Sequence, residues 1–312
     1  MITTLTLSPS IDRTVVLERL DPDRVNRAES SRTDAGGKGI NVGLALAALG
    51  ECSRAIYLAF EGSEPIESAL KSAGAESIAV ACGGRLRTNL KIFDRSSGKT
   101  VEINEQNPAV GEETLKKVEA ACRESARDSD ILVLSGSVPA GAGTDVYKRL
   151  AISAKQVNPN IKIILDSSGV ALKDGLEAEP YLIKPNREEL EACFGVKLRS
   201  EAEAVTLCRE AVRSFGVKNV IVSLGAEGAI AVGGNEAYSA EALKVSPKSA
   251  QGAGDAMVAG CCLAILKGLS LKDTLRYGIC AAAGAIELDG TAFCTRSRFE
   301  ELLRSDIKLG KL

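Results

Sequence analysis

The stretch KSAQGAGDAMVAGCCLAILKG, residues 248–268, sets three small residues and an aspartate directly before an apolar run. The run predicts a buried helix. Its first N–H groups lack intrahelical partners and carry partial positive charge, so they form an anion site that small residues leave accessible. Gly252, Ala253 and Gly254 meet that need. Asp255 does not, because a carboxylate repels a phosphate. Either it is a helix-start residue steadied by the helix dipole, an effect of about 0.3–1 kcal/mol, or it faces a hydroxyl. In the second case it takes the proton as that oxygen attacks a phosphoryl group, while the N–H groups hold the charge that develops.

DAGGKGIN (34–41) is a second glycine-rich helix start. It lacks the Gly-x4-Gly-Lys-Ser/Thr spacing of a Walker A loop, and its glycines at 37, 39 and 43 do not make GxGxxG. What remains is a lysine and an asparagine at a helix N-terminus, suited to a small anion or a polyhydroxy ligand, or to a plain connector. KPNREEL (184–190) puts Asn186 and Glu189 on one face of a new helix turn. Asn as N-cap with Glu three residues on is a capping-box variant; the same pair also suits a hydrated Mg²⁺ beside phosphates.

Residues of these types need a scaffold. Near-continuous apolar runs at 131–134, 161–165, 181–183 and 219–224 alternate with helical patterns, which predicts βαβ units and a parallel sheet covered on both faces. In such sheets ligands bind beyond the carboxyl ends of the strands. There the chain places Ser135-Gly136-Ser137, Asp166, Lys184 and then Ser223 with Gly225 and Gly228. Four polar strand ends on one edge predict a ligand crevice.

Residues 86–104 follow a different period. Leu86, Thr88, Leu90 and Ile92 alternate with Arg87, Asn89 and Lys91; Val101 and Ile103 alternate with Thr100, Glu102 and Asn104; RSSG lies between. The alternation predicts an antiparallel hairpin pairing Ile92 with Val101, Leu90 with Ile103, Lys91 with Glu102 and Asn89 with Asn104. Its polar face is either solvated or turned onto a ligand.

The 312 residues carry 39 Lys and Arg against 41 Asp and Glu, so no basic excess points to nucleic acid. No apolar stretch reaches the roughly 18 residues of a membrane helix, and MITTLTLSPSID lacks a basic leader region; no membrane partner and a cytoplasmic location are expected. Nine cysteines without a CxxC pair suggest free thiols. There is no histidine, which excludes Ser-His-Asp and Cys-His nucleophile systems and leaves acid–base work to Asp, Glu, Lys, Tyr or Cys.

Taken in order, DAGGKGINVGLALAALG, LSGSVP, KPNREEL, SLGAEG and GAGDAMVAG resemble the pfkB/ribokinase-like carbohydrate kinases, from residue 1 to about 300. The resemblance implies an α/β fold, a ribokinase-like three-layer αβα sandwich with a mainly parallel sheet and a small β-sheet lid. It implies one kinase domain, 1–312, with the lid from approximately 10–36 and 84–105. Asp255 is then the base, and the amides of Gly252, Ala253 and Gly254 are the anion hole. Asp12, Gly37 and Asn41 hold sugar hydroxyls, with Gly36 and Ser137 beside them and Lys91 and Glu102 on the hairpin's polar face. ATP lies along Ser223, Gly225 and Gly228, with Lys184, Asn186 and Gly254 near its phosphates, and Glu189 supports Mg²⁺.

Lys38 resembles the branch of the family whose acceptor already bears a phosphate, with Arg87 as its partner on that group. Within the branch, LSPSID, RTNLKI and VEIN are most similar to the enzymes that convert fructose 1-phosphate to fructose 1,6-bisphosphate. Kinases of tagatose 6-phosphate and fructose 6-phosphate share most of these motifs, and a non-catalytic sugar-phosphate sensor on the same fold stays open. Ser249-Ala250-Gln251 departs from the family's usual hydroxyl-bearing residues before GAGD, which bears on ATP contacts there. A homodimer through the lid is expected, since an open lid sheet has edges to cover.

Overall fold

The computed structural model describes residues 1–312. The strands, in chain order, are β1 (Ile2–Thr6), β2 (Ser10–Leu17), β3 (Ser30–Gly36), β4 (Ser53–Glu61), β5 (Glu76–Arg85), β6 (Thr88–Asp94), β7 (Lys99–Asn104), β8 (Ile131–Ser135), β9 (Lys162–Asp166), β10 (Leu182–Ile183), β11 (Asn219–Ser223), β12 (Ala229–Gly233), β13 (Glu236–Ala240) and β14 (Leu309–Lys311). The helices are α1 (Lys38–Ala48), α2 (Glu64–Ser72), α3 (Glu112–Ala126), α4 (Val146–Val157), α5 (Gly169–Leu176), α6 (Arg187–Phe194), α7 (Glu201–Phe215), α8 (Ala253–Leu266), α9 (Leu271–Ile286) and α10 (Arg296–Arg304).

Ten strands form one sheet in the order β14-β13-β12-β11-β10-β9-β8-β1-β4-β5. From β11 to β5 all neighbours are parallel; β12, β13 and β14 add an antiparallel edge. Both faces are covered, which is why the strands read as unbroken apolar runs rather than alternating ones. Along β8, Leu132 and Leu134 enter the core under α2–α7, while Ile131 and Val133 enter the core under α1, α8, α9 and α10. Helix α8 is buried from Asp255 to Ile265, held between α1 and α9.

β1 carries the topological switch. The chain runs outward from it on one side to β4 and β5 and on the other to β8 and β9, so a crevice opens beyond its carboxyl end. There the chain passes straight into a second, 4-stranded sheet, β3-β2-β6-β7. The β6–β7 hairpin has the register that the alternation predicts: Asn89 opposite Asn104, Leu90 opposite Ile103, Lys91 opposite Glu102, Ile92 opposite Val101. All nine cysteines are free thiols, seven of them buried.

Candidate active site

A cleft of about 310 Å³ lies between the carboxyl end of the large sheet and the small sheet, and none of its lining side chains is apolar. Its floor comes from the starts of α1 and α8, its roof from β2 and β6. The cleft gathers Asp12, Gly37, Lys38, Asn41, Arg87, Lys91, Ser137, Glu189, Gly252 and Asp255 of the sequence-derived set, together with Asn89 and Gln251. Its volume suits a small polar molecule.

Asp255 stands in the first turn of α8 and is buried. Its Oδ2 accepts a hydrogen bond from Asn41 Nδ2 at 2.7 Å, across the seam between α8 and α1. Burial, with Asp166 nearby, pushes its carboxyl up to about 7 against the opposing pull of Lys38, Asn41 and Lys184. A carboxylate poised near neutrality is what a general base needs. Gly252 caps the helix in the left-handed region, φ 71°, which a side chain rarely tolerates, and an added Cβ would meet the Phe293 ring at 3.2 Å. Ala253 and Gly254 follow in the helix. At Gly254 a Cβ would come within 3.4 Å of Lys184 Nζ, so the missing side chain leaves a passage between the first α8 amides and that ammonium.

Asp166 is the charge centre beneath them. It ends β9 and is buried, and its Oδ1 faces Lys38 Nζ at 3.2 Å and Lys184 Nζ at 3.4 Å. Its Oδ2 is buried without a hydrogen-bond partner. In the sequence this residue is only one of several polar strand ends; a lone acid closing an apolar run is the signal that marks it. Lys38 also lies 3.6 Å from Glu189 Oε1. Burial alone would lower the Lys38 ammonium, but Asp166, Glu189 and Asp255 together hold it well above the ordinary lysine value.

At Glu189 the capping reading of KPNREEL is what the structure shows. The capping box is present: Glu189 N donates to Asn186 Oδ1 at 2.7 Å and Asn186 N donates to Glu189 Oε2 at 2.9 Å. That leaves Oε1 directed at Lys38. A buried, unpartnered carboxylate oxygen on Asp166 and a capped glutamate nearby are hard oxygen donors of the kind Mg²⁺ takes.

The roof is organised by Asp12. Its Oδ1 accepts from Ser10 Oγ and Asn89 Nδ2, both at 2.8 Å. Arg87 uses Nε, Nη1 and Nη2 on the carbonyls of Pro9, Glu105 and Ser8, at 3.2, 3.3 and 3.2 Å, so it braces the passage between the two sheets as well as lining the cleft. Lys91 lines the cleft and stays 3.9 Å from Glu102.

Several residues of the set stand outside the cleft. Glu102 is exposed on β7. Gly36 lies behind the wall, where a Cβ would strike Ser10 and Asp12. Lys184 is buried and reaches the site only from beneath. Asn186 and Ser223 adjoin each other through an isolated parallel bridge, a little beyond Glu189. Gly225 begins a single 3₁₀ turn, whereas a Cβ on Gly228 would lie 1.9 Å from the Ala240 carbonyl oxygen, so that glycine is required by packing on β13. In the segment before GAGD, Ser249 Oγ accepts from Gln251 N at 3.2 Å, which turns Gln251 into the cleft.

The family model described as pfkB family carbohydrate kinase matches residues 5–298. A 1-phosphofructokinase of Borreliella burgdorferi is 37% identical over 292 residues, 93% of this chain and 92% of its own. A 1-phosphofructokinase of Bacillus subtilis is 33% identical with 100% of both chains covered. The solved structure of the tetrameric inhibited form of phosphofructokinase-2 from Escherichia coli superposes with a TM-score of 0.89 at 30% identity, covering 97% of each chain.

Proposed function

The chain belongs to the pfkB family of carbohydrate kinases, and from that premise we propose that it transfers the terminal phosphoryl group of ATP to the free primary hydroxyl of fructose 1-phosphate, giving fructose 1,6-bisphosphate. The observation that carries the reading is one cleft holding a buried carboxylate poised near pH 7, the amide-rich start of α8 beside it, the cation Lys38 on the floor, and Arg87 and Lys91 at a polar roof.

In this reading Asp12, Asn89 and Asn41 orient the sugar hydroxyls. Asp255 accepts the proton of the attacking hydroxyl, and Asn41 holds the carboxylate at the required angle. The amides of Gly252, Ala253 and Gly254, with Lys184 behind them, face the oxygens of the phosphoryl group in transit. Lys91 and Arg87 carry charge toward the phosphate that the acceptor already bears, where a guanidinium or an ammonium pairs well with a dianion. The nucleotide lies along Asn186, Ser223 and Gly225. Asp166 and Glu189 are the residues that would hold Mg²⁺, which when bound screens the phosphate charges.

The test is ADP release with Mg-ATP, offering fructose 1-phosphate, fructose 6-phosphate and tagatose 6-phosphate separately. The highest kcat/KM is expected on fructose 1-phosphate. A higher value on either of the other two moves the substrate and keeps the chemistry; turnover on none of them sinks the kinase reading.

The same reading includes a homodimer built on the small sheet. The face of the hairpin turned away from the cleft carries Val101 and Ile103 at 42% and 53% exposure, with Leu90 and Ile92 half-buried beside them. An apolar strip on the back of the roof supports an interface there. Light scattering of the wild type is expected to give at least twice the chain mass, and Val101→Asp with Ile103→Asp to give a monomer. A wild-type mass equal to one chain refutes the dimer.

A further inference from the structure

Lys38 sits where its ammonium bridges two carboxylates from different elements. Its Nζ donates to Asp166 Oδ1 at 3.2 Å, from the end of β9, and lies 3.6 Å from Glu189 Oε1, in the first turn of α6. Neither acid is free to turn away. Asp166 is buried between two lysines, and Glu189 is pinned through its other oxygen by the capping box. The ammonium therefore occupies a point between two fixed oxygens, one from each of the two acids suited to Mg²⁺. Lys38 itself begins α1, and its side chain is about a third exposed to the cleft, so it has somewhere to go.

Two cations cannot share that point. A unit charge a few ångströms from a divalent ion repels it even at an effective dielectric of about 20. We propose that Lys38 is a tethered counter-ion that competes with the divalent metal for Asp166 and Glu189. A metal ion arriving alone must displace the ammonium and strand it. A metal arriving with a nucleotide brings phosphate oxygens that take the ammonium over. Lys38 thus biases the site toward the metal–nucleotide complex. The proposal rests on the reading of Asp166 and Glu189 as metal-holding residues, but not on which sugar is phosphorylated.

The experiment is Mn²⁺ titration of the purified full-length protein, followed by electron paramagnetic resonance, with neither nucleotide nor sugar phosphate added. Lys38→Met is expected to bind Mn²⁺ at least about tenfold more tightly than the wild type, from relief of charge repulsion. Lys38→Arg, which keeps the cation, is expected to bind as weakly as the wild type. Glu189→Gln added to Lys38→Met is expected to remove the gain. Equal affinities of Lys38→Met and wild type overturn the proposal, as does a gain that survives Glu189→Gln or appears equally in Lys38→Arg. Thermal melting of each variant establishes that it is folded, and Lys38→Gln replaces Lys38→Met if the latter is not. Loss of turnover on every sugar phosphate would count against the kinase reading while leaving these affinities as the measure of Lys38.

Discussion

Asp255→Asn is expected to lower kcat by about a thousandfold, within the range that a positioned general base contributes. The substitution keeps the shape of the side chain and, with its amide oxygen turned to Asn41, the hydrogen bond at 2.7 Å. It removes only the capacity to accept a proton. The same residue sets the pH dependence. With its carboxyl raised to about 7 by burial and by Asp166, kcat/KM should fall about tenfold for each unit of pH below 7 as the base becomes protonated.

Stability should move the other way. An aspartate that titrates near 3.8 in the unfolded chain and about 7 in the folded one binds the extra proton in the folded state, so stability falls as pH rises between those values. The cost of the buried carboxylate is absent below about 3.8 and complete above about 7. Asn removes it, so the variant should melt higher than the wild type at pH 8, with the difference shrinking toward pH 5. A residual rate within tenfold of the wild type would dismiss Asp255 as the base; a lower melting temperature at pH 8 would dismiss the burial cost.

Gly39→Ala should cost both fold and activity. Gly39 lies in the first turn of α1, pressed onto β1, and a Cβ there would fall 2.5 Å from the Leu5 carbonyl oxygen and 2.6 Å from Thr6 Oγ1. The strand cannot yield, since Leu5 and Thr6 belong to an interior strand of the sheet, paired on both sides by β4 and β8. The helix must lift instead. Overpacking of this kind costs about 1–3 kcal/mol, and a displacement of about 1 Å at a site can cost a hundredfold in rate. Lys38 and Asn41 ride on the same turn, so both the partner of Asp255 and the cation beside Asp166 move with it. The expected result is a melting temperature several degrees lower and a kcat/KM reduced by about a hundredfold. Wild-type activity in Gly39→Ala would show that the start of α1 does not position the site.

The local chemistry of the site was legible from the sequence. Gly252, Ala253, Gly254 and Asp255 before an apolar run, the capping pair Asn186 and Glu189, and the two-residue alternation of 86–104 are all encoded among near neighbours, so helix starts and hairpin register follow without the rest of the chain. The order of motifs likewise carried the family. The roles that depend on distant partners were not legible. Asp166 becomes the charge centre because β9 lies two strands from β1, bringing it to Lys38 across 128 positions of sequence. Arg87 turns into a brace because its carbonyl partners come from the loop after β1 and from the end of β7. Gly228 is also required by packing against the end of β13, which its place in SLGAEG does not disclose. Even β1 hides its place: the strand reads ITTLT, yet all five residues are buried at the switch of the sheet, with Thr4 and Thr6 under the glycines of α1. The sequence by itself determined which groups can accept a proton or bind an anion, because those properties belong to side chains and helix ends. Only the tertiary structure decided which of them meet, because charges act over a few ångströms and the stacking order of the strands sets those distances.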